Sequence, residues 1–468
     1  MNRIHITTLA LALLAPALAS AQDGADPRLS SGGRTAAAPA GRPTVALWEA
    51  IGDTTLARLV EEAWRANGDV EVASARVSGA RAARTSAALE LTPSITAVSG
   101  FSRQQIASPL VPGAGGPIPD QNLWDAGLSA QWEVDVFGRL RRSLRGRDEL
   151  TAAADEGLRD TRVVVAAQVA GAYFELRGAQ ERLAVARRNA ENQRGTLELT
   201  RQRLELGRGT ALDVERAQAQ LSATLAAIPT VEARIAASQY RIAVLTGRPP
   251  SAVGPSLAAT AAPIVLPDAP TVAAADAVVR DRPDVREAER VVVASAAFVD
   301  AARSEYLPRV AIGATAGYTG NTFESLGNRG TPRYTFGPLI SWPALDIGRV
   351  RAGVDAARAD ASAARARYET TVLRGLEEVE STQLGYRKAR ERLQHLEDAA
   401  AASERAAELA RLRFEEGASD FLPVLDAERT MLERQSELTL GRTEAAAALV
   451  AVYRALGGAR AFTAASGR

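Results

Sequence analysis

The chain predicts a mixed α and β fold: mostly long coiled-coil α-helices, with four β-strands in two hairpins, produced by one unit written twice. Three observations predict it. Trp132-Glu-Val-Asp-Val-Phe-Gly-Arg-Leu-Arg141 returns 210 residues later as Trp342-Pro-Ala-Leu-Asp-Ile-Gly-Arg-Val-Arg351. The same offset links Glu181-Arg182-Leu183 to Glu391-Arg392-Leu393, and Arg203, Glu205 and Gly207 to Arg413, Glu415 and Gly417. Within each copy a stretch of strict two-residue alternation is followed by a proline-free stretch with a seven-residue apolar period. Two units are too few for a solenoid, which needs three or more to bury a continuous core. The copies must therefore complete something with each other or with other chains.

Composition bounds the rest. With 468 residues the chain is long enough for a large core, yet aromatics are only 5 %, which suits long thin helices rather than a thick globule. There is no cysteine, so disulfides, thiol chemistry and a lipid-modified N-terminal cysteine are not expected. Only His5 and His395 are histidines, which argues against a His-based metal site or a Ser-His-Asp triad, and no cofactor is expected. A net charge of +1 gives no footprint for nucleic acid.

Residues 1–21 read as a bacterial secretory signal: Arg3, the apolar Ile6 to Leu14, and the small-residue site Ala19-Ser20-Ala21. Residues 22–46 are a Gly-, Pro-, Ala- and Ser-rich linker. Repeat 1 covers 47–246. It opens with a helical pattern over Leu56–Leu89, closed by Pro93. The hairpin 92–137 follows. In Leu123–Val136 one face reads Trp124, Ala126, Leu128, Ala130, Trp132, Val134, Val136, and the other Leu123, Asp125, Gly127, Ser129, Gln131, Glu133, Asp135. That is a half-buried strand, with Ile95–Phe101 as its partner. A long helix over 139–207 and a return helix over 211–245 complete the copy. Leu176, Leu183, Ala190, Leu197 and Leu204 recur every seven residues, as do Ala172, Ala179 and Ala186, the mark of coiled-coil packing. A proline-rich connector spans 247–270.

Repeat 2 covers 271–457, with a helix, the hairpin 308–347, a long helix over 349–417 and a return helix over 422–456; a tail, 458–468, ends the chain. Its strand presents Tyr334, Phe336, Pro338, Ile340 and Trp342 on one face, with Val310–Tyr318 as partner, and its seam reads Leu393, Ala400, Ala407 and Phe414. Pro93 to Trp132 exceeds Pro308 to Trp342 by five residues, expected in the first hairpin loop, where insertions cost least.

The strands carry a membrane signature. Trp124 and Trp132 are eight residues apart on one face, and Tyr334 and Trp342 repeat the spacing. Eight tilted strand residues rise roughly 20 Å, close to the apolar band between the aromatic girdles of an outer-membrane barrel. The alternative is a soluble sandwich with buried Trp. Four strands cannot close in lipid, where an open edge leaves backbone groups unpaired at several kcal/mol each. The chain is therefore expected to oligomerise.

These parts resemble the outer-membrane factor family, the TolC and OprM type of efflux and secretion ducts, in its NodT branch. The resemblance rests on Trp48 with Gly52-Asp-Thr-Thr-Leu56, Asn67-Gly-Asp-Val70, Arg280-Asp-Arg-Pro-Asp-Val-Arg-Glu-Ala-Glu289, Asp135-Val-Phe-Gly-Arg139 and Leu345-Asp-Ile-Gly-Arg349. It implies a passive homotrimeric exit channel and no enzyme. Each chain would give four transmembrane strands to a shared 12-stranded β-barrel and its helices to a trimeric α-barrel. The implied partners are a periplasmic adaptor, an inner-membrane pump of RND type and outer-membrane lipids. A pore-less periplasmic coiled-coil adaptor or scaffold is the rival reading; it explains the helices but not the hairpins.

The resemblance also implies site residues. The turns Gly207-Arg208-Gly209-Thr210 and Gly417-Ala418-Ser419-Asp420 would dock the adaptor; as plain structure they are glycine C-caps followed by Thr and Asp N-caps. Asp213 and Asp426 match tip aspartates that threefold symmetry would set in carboxylate rings; as plain structure they are acids near helix starts. Phe414 stands where the TolC-like lock has a tyrosine, Ser419 where it has an arginine and Pro423 where it has an aspartate, so other contacts must hold the closed gate. Trp124, Trp132, Tyr334 and Trp342 would form the girdle. Arg139, Arg141, Arg349 and Arg351 mark the strand-to-helix junctions, and Arg282 with Asp284 suits a buried pair or plain capping.

Overall fold

The computed structural model describes residues 44–45, 47–105, 116, 119–252, 257, 266–267, 275–458 and 462–463. The predicted signal, nearly all of the linker and most of the connector and tail lie outside them. Strand β1 (Thr44–Val45) precedes helices α1 (Leu47–Ile51), α2 (Thr54–Ala66) and α3 (Gly68–Leu89). Then come β2 (Ser94–Gln104), β3 (Gln121–Val134), α4 (Arg139–Glu205) and α5 (Ala211–Leu245). The second half runs α6 (Ala275–Asp281), α7 (Pro283–Arg303), β4 (Arg309–Gly320), β5 (Pro332–Ser341), α8 (Ile347–Glu415) and α9 (Phe421–Ala455), and β6 (Phe462–Thr463) pairs with β1.

Several boundaries correct the sequence reading. The helix expected over Leu56–Leu89 is two helices, because Asn67 both ends α2 and caps α3: its Oδ1 accepts from the amides of Asp69 at 2.9 Å and Val70 at 3.4 Å. Its Nδ2 donates to the Leu245 carbonyl at 2.9 Å and ties the break to the end of α5. The helices expected over 139–207 and 349–417 end at Glu205 and Glu415, because each glycine stands past the helix and not in its last turn. The second begins at Ile347, two residues early, and α9 spans Phe421–Ala455, one residue earlier than expected. Pro229, unremarked in the sequence reading, sits inside α5, where it removes one amide from the helical ladder.

One four-stranded antiparallel sheet holds both hairpins in the order β2-β3-β4-β5. Its register fixes two faces. Trp124 pairs with Phe101 and Gly320, Leu128 with Ala97 and Ala316, and Ala314 with Phe336. One face is therefore mostly apolar from edge to edge, with Ile95 70 % and Phe336 73 % exposed and Ser99, Arg103 and Asn122 as its polar members. Odd-numbered β3, β4 and β5 residues line the other face with even-numbered β2 residues, and these are mostly Gly, Ser, Thr and Gln. The connection is sixteen residues in the first hairpin and eleven in the second, which places the five-residue difference where insertions were expected.

At 67 and 69 residues, α4 and α8 are each about 100 Å long. They pack against their return helices α5 and α9, and α7 bridges α4 and α8. The main core gathers Leu56, Leu59 and Val60 of α2, Val165 to Leu176 of α4, Ile242 of α5, Val379 and Tyr386 of α8 and Leu449 to Tyr453 of α9. A smaller core of Ala190, Leu197, Ala217, Leu221, Phe414, Phe421 and Val424 lies near the far helix ends. Most predicted seam positions are buried, including Leu176, Ala190, Leu197, Ala400, Ala407 and Phe414; Leu204 is not, at 38 % exposed.

Candidate functional site

The two helix-to-helix turns share one local construction. Gly207, at φ +67°, follows α4: its amide donates to Leu204 O at 2.9 Å, and the Arg208 amide to Arg203 O at 2.8 Å. Gly417, at φ +77°, repeats this with Phe414 O at 3.0 Å and Ala418 to Arg413 O at 2.8 Å. Both are glycine-terminated Schellman ends, in which a left-handed residue lets the chain satisfy the last carbonyls.

Thr210 and Asp213 then form a reciprocal capping box that starts α5. Asp213 N donates to Thr210 Oγ1 at 3.2 Å, and the Asp213 carboxylate accepts from Thr210 Oγ1 at 2.6 Å and Thr210 N at 3.3 Å. Asp213 is half-buried and its charge is engaged in its own chain. Asp420 occupies the cap position of α9, but its side chain makes no capping hydrogen bond, contrary to expectation. Asp426 is exposed, one turn into α9.

Beside the turns, the two helix pairs are clasped by residues that sequence reasoning passed over. The Arg203 guanidinium lies 4.0 Å from the Phe414 ring centroid and donates to the Phe414 and Glu415 carbonyls at the end of α8. A cation stacked on an aromatic ring and set against a helix C-terminus is favoured twice. Phe414 itself is buried against Phe421, at 5.7 Å between centroids. Further along, Glu428 is 3 % exposed and accepts from Thr196 Oγ1 at 2.9 Å and Arg411 Nη2 at 2.8 Å. Asn189 Nδ2 donates to Gln435 Oε1 at 3.0 Å. The α4 stripe is thus apolar through Val165, Val169 and Leu176 and turns polar over Asn189, Gln193, Thr196, Thr200 and Arg203. Gln193 is buried with neither amide atom hydrogen-bonded among the described residues, so this half of the seam is the less well satisfied one. The spacing of four, three, four and three along α4 was readable; that these residues face the other helix pair was not.

Midway along the helices, Arg282 is 7 % exposed and the pair expected with Asp284 is present. Its Nε and Nη2 meet Asp284 at 3.0 and 2.8 Å, Nη2 also meets Glu378 at 2.9 Å, and Nη1 reaches Ala455 O at 2.8 Å. Burial pulls its pKa down, but the two carboxylates outweigh that and hold it above the usual guanidinium value. Nearby, burial pushes the Asp160 carboxyl up, helped by the Asp284 charge, and burial pushes Glu287 up, helped by Asp160.

At the strand-to-helix junction after β3, Arg139 forms a two-pronged pair with Glu133, with contacts of 2.9–3.1 Å. Asp135 accepts from the Leu140 and Arg141 amides. The junction after β5 is looser: among the described residues Arg349 and Arg351 pair only with nearby Asp346 and Asp355, and Leu345 is fully exposed. Trp132 and Trp342 take matching positions, each donating its indole N–H to a backbone carbonyl, Leu91 at 2.9 Å and Tyr306 at 3.0 Å. Trp124 lies at the loop end against Phe101 and Phe323, and Tyr334 is 86 % exposed there. The four predicted aromatics thus lie on one sheet face, two near each end. Among the described residues no group of acidic or His side chains is arranged to hold a metal, and no helix is long and apolar enough to cross a membrane.

A family model described as outer membrane efflux protein matches residues 59–248 and 275–458. Nodulation protein T of Rhizobium leguminosarum bv. trifolii is 29 % identical over 401 residues, covering 84 % of this chain and 83 % of that protein. The toluene efflux pump outer membrane protein TtgF of Pseudomonas putida is 28 % identical over 415 residues, covering 87 % and 84 %. Among solved structures, the outer-membrane channel OprN superposes with a TM-score of 0.82 at 37 % identity, over 90 % of this chain and 94 % of that one. VceC of Vibrio cholerae, at 24 % identity and a TM-score of 0.78, shares the fold. With its long paired helices, its single four-stranded sheet and a family match over both halves, the chain belongs to the outer membrane efflux protein family, whose members are channels and not enzymes.

Proposed function

We propose that the protein is the outer-membrane exit duct of a tripartite efflux or secretion system. Three copies close a shared 12-stranded β-barrel in the outer membrane, and their helices form a periplasmic tube that docks a periplasmic adaptor and an inner-membrane pump of RND type. The observation that carries this reading is the sheet. Between its end aromatics one face is apolar across four strands but for Ser99, and β2 and β5 are edge strands within one chain. In lipid those edges must be paired by another copy. Trp124 and Tyr334 at one end, with Trp132 and Trp342 at the other, fit the two aromatic girdles. The turns 207–210 and 417–420 lie at the opposite extreme of the molecule, where an adaptor would meet them. The sheet and the family membership weigh against a pore-less scaffold.

The duct is gated at the turns. Arg203 on Phe414 and Glu428 between Thr196 and Arg411 hold one helix pair to the other and supply the lock that the missing TolC-like tyrosine and arginine leave open. Asp426 supplies the exposed carboxylate ring of the tip; Asp213 contributes its charge there while also capping α5. Single-channel recording tests the gate. Arg203→Ala is expected to raise the conductance of a low-conducting wild type several-fold, and Asp426→Asn to lower its cation preference. Unchanged currents in both would remove the tip from gating.

A further inference from the structure

We propose that Asp125 and Arg333 form a charge-balanced collar at the outer mouth of the barrel that adds no charge preference of its own to the one set at the tip. This rests on the duct reading above. Asp125 and Trp124 are strand neighbours and so project to opposite faces. Trp124 belongs to the apolar face, so Asp125 faces the bore. Asp125 is the fifth residue of β3, Thr319 the penultimate residue of β4 and Arg333 the second of β5. All three stand at the loop end, away from the helices. Asp125 Oδ1 accepts from Arg333 Nε at 2.8 Å and from Thr319 Oγ1 at 2.8 Å, and Arg333 Nη2 bonds the other oxygen, Oδ2. The pair therefore reaches across β4, joining two strands that are not neighbours.

The rest of that face gives the pair its importance. On that face the remaining charges within the strands are Glu133 and Arg309, at the helix end, each with its own partner in Arg139 and Glu305; Arg103 of β2 belongs to the opposite face and pairs with Asp120. Between the two ends the face carries Gly, Ser, Thr, Gln and a few apolar residues. Directly inside the collar Gly127 faces Gly317, and a Cβ on Gly127 would come within 2.5 Å of the Ala316 carbonyl oxygen. The wall there is bare backbone, with no side-chain charge to mask a change at the collar. In a trimer the collar holds three carboxylates and three guanidiniums, each cancelled by its partner. Losing one partner type leaves three like charges around one aperture, the arrangement that makes a pore ion-selective.

Reversal potentials in a KCl gradient, kept at low ionic strength so that screening does not hide the ring, test this. Asp125→Asn is expected to shift the chloride-to-potassium permeability ratio towards anions by at least roughly twofold, and Arg333→Gln towards cations by a similar factor. The double variant returns to the wild-type value, and Arg333→Lys, which keeps the charge but loses the fork, stays there too. If Asp125→Asn fails to insert, Arg333→Gln against Arg333→Lys decides alone. A conducting wild type with single variants that leave selectivity unchanged, or shift it in the same direction, overturns the collar and leaves the duct standing. A protein that conducts neither as wild type nor with the gate loosened by Arg203→Ala overturns both.

Discussion

Glu428 lies in the seam between the two helix pairs with 3 % exposure, and a carboxylate so placed must be satisfied on every side. Arg411→Ala leaves it with Thr196 alone and is expected to cost up to about 3 kcal/mol, read as a fall in the thermal midpoint of the helical signal. Glu428→Gln in the same background should recover part of the loss; no fall in either would show the seam to be held elsewhere. Asp160 makes the opposite case. Burial holds its pKa above its ordinary 3.8, so the folded state binds a proton that the unfolded state releases. Stability from this group is present below the ordinary carboxylate range and is lost as pH rises through the raised folded value. Asp160→Asn is expected to raise the thermal midpoint at neutral pH and to flatten its decline above about pH 4. An unchanged slope would contradict this. These residues mark the limit of the sequence. Phe414 was legible at its position in the repeat, whereas Arg203 and Glu428 were two charges among many until packing brought them to the seam.

The turns show how an element can be read and still be misplaced by two residues. Gly207 and Gly417 were visible as breaks, but a glycine in the left-handed region stands one residue beyond the C-cap, so each helix ends two residues before its glycine. Gly207→Ala places a Cβ at φ +67°, which costs about 1 kcal/mol. The expected result is faster amide hydrogen exchange over the last turn of α4 with exchange near the Leu176 core unchanged; equal exchange in both would contradict the cap. Strand periodicity was the most legible signal, because the parity of Trp124 and Trp132 fixes a face whatever the neighbours. The break at Asn67 was missed because an apolar helical pattern runs through it, while its cap depends on a side chain that also reaches Leu245 across the fold.

At the scale of the whole molecule, the sheet is the part that one chain leaves incomplete. Its apolar face is far larger than a solitary soluble protein exposes, and both outer strands end in unpaired ladders. The looser junction after β5, with Leu345 and Ile347 exposed, lies at the same edge. The sequence spoke to closure only through strand count, since four strands are too few for a spanning barrel; the number of copies came from the family resemblance and is not written in any residue. Native mass measurement of the detergent-extracted protein tests this most directly. The predicted result is a three-chain particle that persists on dilution in detergent; a stable, monodisperse single chain that stays soluble after the detergent is removed would contradict it.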